Sequence, residues 1–300
     1  EKYIYSREDS RVGGEERGAY RWDAPMKELD DLDKLHFPEI IVDEEATQRN
    51  LSIAQELLGD ILDVRLCSQY WWTLGLIGEL TKLRGLTQVL LDMLDNPAWL
   101  HRILRFMMEG KLQWLESLEN QGLLCLNNGN DIIGGPSTIG FTDELPASDF
   151  DGKLVRTCDM WGFAEAQEIA GVSPAMHDEF ALQYQIPILE RFRLSIYGCC
   201  EPLHHKFDIV KKAPHLRAIT ISPWCDRAIA AEALEDKYIY VWKPAPWDLA
   251  APTFDPDYVR AYVRETLEIA RSCIVTINLQ DTHTCKNDPI RFDLWNEIVR

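Results

Sequence analysis

The chain has 300 residues, of which 46% are hydrophobic, enough for a sizeable core and too many for a disordered chain. Its formal net charge of −18 argues against DNA, RNA or an anionic membrane surface as main partner, since each would repel it. No apolar run approaches the roughly 20 residues needed to span a bilayer, and no basic region followed by an apolar core opens the chain as a signal peptide would.

The chain begins at Glu1, just before the apolar alternation Tyr3-Ile4-Tyr5, so a processed or truncated N-terminus is expected. The eight cysteines contain no CxxC pair, which excludes a zinc ribbon. Several sit in or just after apolar runs, where a thiol acts as a small hydrophobe. A reduced, cytoplasmic protein is expected.

Taken in chain order, Gly13–Gly18 reads as a loop and Glu39-Ile40-Ile41-Val42 as a short strand. Ile61–Cys67 is the first clear strand candidate. Asn96-Pro97 opens a helix whose apolar residues, from Leu100 to Leu115, recur at helical spacing until Gly122. Leu123–Leu126 is the next strand. Ser173-Pro174 opens a helix running towards Arg191, and Leu194–Tyr197 is a strand. A short helix over Lys206–Lys212, a strand over Leu216–Ile221, a helix over Asp226–Leu234 and a strand over Lys237–Trp242 follow. Asp255-Pro256 opens a helix to Arg271, Cys273–Leu279 is a strand, and Asp288-Pro289 opens the last helix.

Six apolar strands alternating with helices predict a parallel sheet covered by helices. A TIM-type (β/α)8 barrel forming one domain over residues 1–300 fits the length, with a doubly wound sheet as the runner-up. No GxGxxG follows the first strand and no GxxxxGK[ST] occurs, so no nucleotide cofactor is expected.

In a barrel the active site lies at the C-terminal strand ends. Those ends carry Ser68–Trp72, Asn127–Asp131, Gly198–Pro202, Ser222–Asp226, Lys243-Pro244 and Gln280–Cys285. Cys199, Cys200 and Glu201 offer thiolate and carboxylate donors, so a catalytic zinc is one reading and buried thiols the other. Adjacent strand residues point to opposite faces, so one of the two cysteines would face the pocket. His283 beside Asp281 is placed to carry a proton. Lys243, at the end of an apolar strand, would bind an anionic group or pair with Asp281 or Glu201. Trp161–Glu168 reads as a loop covering the pocket and offering Glu165 and Gln167, or as an ordinary surface loop. Trp71, Trp161 and Trp224, with Asn128, would line a substrate site. His204-His205 reads as surface and capping.

Three stretches carry a family resemblance. They are Arg84-Gly85-Leu86 through Asp95-Asn96-Pro97, Val172-Ser173-Pro174 through Glu179-Phe180, and Tyr197-Gly198-Cys199. Over residues 60–300 the chain resembles the uroporphyrinogen decarboxylase superfamily, which includes corrinoid-dependent methyltransferases. The resemblance implies a TIM barrel. In the methyltransferases a His-x-Cys and a later cysteine bind zinc. Here Tyr197 stands at the histidine position, Cys199 matches the cysteine, and Cys273 or Cys285 would be the later one. The arginine-rich motif of the true decarboxylases is not found, and a substrate with many carboxylates needs several cations. The resemblance therefore implies a methyltransferase moving a methyl group between a small substrate and a corrinoid protein. No DxHxxG cobalamin signature occurs, so a partner would bring the corrinoid. The alternatives are a lyase or decarboxylase acting on a smaller acid, with Lys243 holding its carboxylate, and a non-catalytic ligand-binding barrel.

Overall fold

A computed structural model describes residues 22–67, 71–129, 138–279 and 282–300, together with 133–135. For 133–135 and 138–139 the backbone alone is described. The Gly13–Gly18 loop, Ser68–Tyr70, Asp131 and Asp281 lie outside the described residues.

The first half is mostly helical. Helix α1 (Glu44–Leu58) is followed by α2 (Ile77–Arg84), α3 (Leu86–Asp95) and α4 (Pro97–Asn120). Pro97 occupies the first helical position of α4, where its missing N–H costs nothing. Asn96 does not cap it; its side-chain amide donates to Asp92 instead. Gly122, at φ +66°, follows the end of α4. A short antiparallel pair, β1 (Ile133–Gly135) and β2 (Thr138–Ile139), comes next.

The second half is a parallel sheet alternating with helices. Its strands are β3 (Trp161–Ala164), β4 (Leu194–Tyr197), β5 (Leu216–Ile221), β6 (Ile239–Trp242) and β7 (Ile274–Ile277). The first connection carries α5 (Pro174–His177), a π-turn at Asp178–Leu182 and α6 (Gln183–Leu189). The others carry α7 (Phe207–Val210), α8 (Arg227–Leu234), α9 (Trp247–Ala250) and α10 (Pro256–Ile269), and α11 (Ile290–Val299) follows β7. Ser173, Asp226 and Asp255 each cap a helix through a side-chain oxygen that accepts backbone N–H groups.

The strands lie in chain order, β3-β4-β5-β6-β7, every neighbour parallel. The order never reverses, so the described sheet has no switch point of the doubly wound kind. No helix among the described residues is long and apolar enough to cross a membrane.

Three sequence expectations fail here. Among the described residues Ile61–Cys67 joins no ladder, and Ile61, Leu62 and Leu66 are exposed. Glu39–Val42 likewise joins no ladder among the described residues, and Ile41 is exposed. Leu123–Leu126 belongs to none of the ladders among the described residues. An apolar run becomes a strand only where a neighbour takes its backbone groups. Conversely, Trp161–Ala164 is a fully buried strand, not a loop.

The pleat sends alternate side chains to opposite faces. Ala164, Tyr197, Ile219, Ile221, Tyr240 and Trp242 join the large core beneath the helices. Phe163, Ile196, Ala218 and Val241 face the other way, into a smaller cluster with Trp161, Leu194, Leu145 and Cys199.

Candidate functional site

Extending that second face past the strand ends places the chemistry. Two residues beyond Phe163 is Glu165, two beyond Val241 is Lys243, and four beyond Ala218 is Ser222. All three are buried. On β4 the next position is Gly198, at φ +89°. A β-carbon there would stand 2.5 Å from Leu203 and 2.8 Å from Thr220, so the position demands glycine. The chain then bends through Cys199, Cys200 and Glu201.

Glu201 is buried, and its oxygens accept the backbone N–H groups of Ala166 (3.1 Å) and Cys199 (2.8 Å). It therefore ties the end of β3 to the end of β4. Ser222 donates to the Glu201 carbonyl at 3.3 Å. Lys243 Nζ lies 3.4 Å from the Cys199 carbonyl and 3.7 Å from Cys199 Sγ. The two sulfurs of Cys199 and Cys200 are 3.6 Å apart. The Lys243–Glu201 ion pair, one of the two pairings expected, does not form; Lys243 Nζ turns to the Cys199 carbonyl and sulfur instead.

Glu165 is wholly buried. Its Oε2 accepts the Gln167 backbone N–H at 2.9 Å, while its Oε1 has no partner. Burial above all, then the charges of Glu168 and Glu201, push its pKa up to about 9. At neutral pH it is a protonated acid with an unsatisfied oxygen. Three other buried polar atoms without a hydrogen-bond partner follow strand ends, Glu168 Oε2 after β3 and Asn278 Nδ2 and Thr282 Oγ1 after β7, while Trp242 Nε1 lies within β6 and Asp248 Oδ2 in α9. Burial raises the Glu168 carboxyl as well. Such atoms are costly unless a ligand or water meets them.

Beneath Glu165 runs a buried hydrogen-bond chain. Tyr197 donates to Gln185 Oε1 at 2.9 Å, and Gln185 Nε2 donates to the Glu165 carbonyl at 2.7 Å. Because the Tyr197 proton is used there, His177 Nε2, 2.7 Å away, donates to Tyr197. His177 Nδ1 then accepts from Lys206 Nζ at 3.3 Å. Burial first, then the Lys206 charge, push His177 down to about 3, so the ring stays neutral, as this pattern requires. Tyr197, fully buried, is raised by burial.

The remaining sequence candidates divide. Trp161 is buried at the start of β3, its indole donating to the Gly140 carbonyl at 2.8 Å. It lies four residues from Glu165, about 13 Å along a strand, and is core, not a substrate wall. Asn128 binds the Thr142 and Leu145 carbonyls, holding a loop. Trp71 packs edge-on against Trp114 and Phe192. Trp224 is 64% exposed and lies against Trp247 at 5.2 Å. Gln167 contributes its backbone N–H to Glu165. His283 follows β7 but is exposed. His204 accepts the Asp226 backbone N–H at 3.3 Å, a loop contact.

Neither a protein-family model nor a curated protein sequence matches the chain. The site therefore rests on its own geometry. A cavity of about 50 Å³ lies elsewhere, lined by Phe37, Glu79, Phe106, Lys111 and Trp114 among others. Its charged groups already satisfy each other, Lys111 to Glu79 at 3.1 Å. The unsatisfied atoms at the strand ends make that region the stronger candidate.

A zinc ion at these donors would meet competing groups. Each Glu201 oxygen already accepts a backbone amide, and Lys243 Nζ stands 3.7 Å from Cys199 Sγ, a charge that a dication would have to displace. Among the described residues no three His, Cys, Asp or Glu side chains converge as metal ligands. Cys273 lies at the start of β7, the opposite end of the sheet from Cys199.

Sequence reasoning missed Glu168, Asn278 and Thr282, and the Lys206–His177–Tyr197–Gln185 chain. Buried polar residues among apolar neighbours, Tyr197 on β4 and Gln185 on α6, were the available signal.

Proposed function

We propose that the chain is an enzyme of the uroporphyrinogen decarboxylase superfamily that acts by general-acid catalysis at the C-terminal strand ends of a TIM-type barrel. The strictly sequential parallel order and the two-faced sheet support the barrel. The observation that carries the function is the buried Glu165 with its unpartnered Oε1, set near Cys199, Glu201 and Glu168, where burial favours the protonated form. An acid held neutral at working pH, with an open hydrogen-bond position, is suited to give a proton to a leaving or developing anion.

In the methyl-transfer reading, Oε1 protonates the heteroatom from which the methyl group departs, so that it leaves as a neutral alcohol, amine or thiol. Glu165 becomes a carboxylate and is reprotonated from solvent. A corrinoid brought by a partner protein supplies the methyl acceptor. Lys243 orients the heteroatom or an anionic group of the substrate, and Glu201 keeps the ends of β3 and β4 in register. The buried Lys243 ammonium favours a second reading, decarboxylation of a small acid. There Lys243 binds the carboxylate, carbon dioxide leaves, and Glu165 protonates the resulting carbanion. A chain of this size with eight cysteines and no disulfide suits a reducing, cytoplasmic compartment.

The test pairs two assays: methyl transfer from O-, N- and S-methyl donors to a reduced free corrinoid, and carbon dioxide release from a panel of small acids. Glu165→Gln should lower kcat by roughly 10²–10⁴ with little change in KM, and Lys243→Met should chiefly raise KM. Full turnover in Glu165→Gln, or no turnover by the wild type in either assay, would sink the proposal.

A further inference from the structure

Cys199 and Cys200 are neighbours in sequence, and in an extended strand their side chains would diverge. The left-handed turn at Gly198 and the bend over 199–201 end the pleat before them, and their sulfurs approach to 3.6 Å. The two differ in access: Cys199 is 1% exposed, whereas Cys200 is half-buried. Lys243 Nζ stands 3.7 Å from the inner sulfur.

We propose that Cys199 and Cys200 form a reversible two-electron redox site, closed to a vicinal disulfide by the disulfide of a small thiol. The Cys200 thiolate attacks one sulfur of the incoming disulfide, and the first small thiol leaves, taking up a proton. The Cys199 thiolate then attacks Cys200 Sγ, expelling the second small thiol, which is also protonated. Two protein thiols are oxidised, one external disulfide is reduced to two thiols, and no other oxidant is needed.

Adjacent Cα atoms across a trans peptide are about 3.8 Å apart, below the roughly 4.4–6.8 Å that a disulfide prefers. Ring closure therefore distorts the 199–200 backbone, which makes the bond labile and easily reduced again. That backbone is joined to the site: the Cys199 N–H donates to Glu201 and the Cys199 carbonyl accepts from Lys243. Oxidation thus displaces both groups, whichever reaction they serve, and the inference does not rest on the reading of Glu165.

The tryptic peptide 194–206 holds these two cysteines and no other. The intact protein is incubated with glutathione disulfide until the exposed Cys67 is modified, then denatured, alkylated with N-ethylmaleimide and digested. The expected peptide lacks two hydrogens and carries no alkyl group, and reduced glutathione returns it to the doubly alkylated form. Cys199→Ser should trap glutathione on Cys200, while Cys200→Ser should slow modification of Cys199 at least tenfold. A doubly alkylated 194–206 peptide after Cys67 has reacted, or glutathione persisting on Cys200 of the wild type, would overturn the proposal.

Discussion

Glu165 carries the most consequence of any single residue. Its pKa of about 9 lies far above its ordinary value of 4.5, with burial the largest cause. Below pH 4.5 the group is protonated in both folded and unfolded chains and costs nothing. Between there and about 9 the unfolded chain ionises while the folded one does not, so stability declines as pH rises. Glu165→Gln removes that dependence, and its stability relative to the wild type should grow between pH 5 and pH 8 in urea titrations. A constant difference would mean that Glu165 is ionised in the folded protein. Activity that needs the protonated acid should fall as pH rises through about 9. Tyr197→Phe leaves His177 Nε2 and Gln185 Oε1 without a partner and should cost about 1–3 kcal/mol. Gly198→Ala forces a β-carbon into Leu203 and Thr220 at positive φ. It should cost about 2–4 kcal/mol, read by chemical denaturation. Glycine at 198 and the cysteine pair after it were visible in the sequence. The approach of the two sulfurs was not, because it depends on the bend that follows the strand.

At the scale of elements, the helix ends were the most legible features. Asp226 and Asp255 cap α8 and α10 as expected, and each changed to alanine should cost about 1 kcal/mol. The stretch from Arg84 to Pro97, which carries part of the family resemblance, also forms a buried tie. Arg84 Nε donates to Asp92 at 2.8 Å, and its Nη1 donates to the Met26 and Lys27 carbonyls. It fastens the 22–28 segment to α2 and α3. Burial alone would raise the Asp92 carboxyl, but hydrogen bonds from Arg84, Asn96 and Gln88 outweigh it and hold the pKa below 3.8. That stabilisation is complete above the ordinary value and is lost as pH falls through the lowered one. Arg84→Ala strands a buried carboxylate and should cost about 3–5 kcal/mol. It should also expose the 22–28 segment to proteolysis. A loss below 1 kcal/mol would show that water reaches Asp92. The strand misreadings have one cause. Ile61–Cys67 and Leu123–Leu126 have suitable composition, yet the neighbour of β3 on the sheet is β4, and neither run pairs in the described ladders.

Over the whole molecule, a net charge of −18 means self-repulsion in the folded state. Raising salt from low ionic strength to about 0.15 M shortens the screening length to about 8 Å. The melting temperature should therefore rise with sodium chloride. A fall would mean that ion pairs such as Arg156–Asp149 and Arg217–Glu144 outweigh the repulsion.

The alternation of apolar runs and caps determined by itself that the second half is parallel β/α, because hydrophobic periodicity and capping are local properties. The last four strands and the helices between them follow from it, and so does the placing of Lys243 and Glu201 near strand ends. Only the tertiary structure decided that Trp161–Ala164 is a strand and that Trp161 is core. It alone placed Tyr197 over His177, and Lys243 beside a thiol instead of a carboxylate. Those outcomes turn on which face a side chain takes and which distant backbone groups it meets, and neither is encoded within any short stretch of the chain.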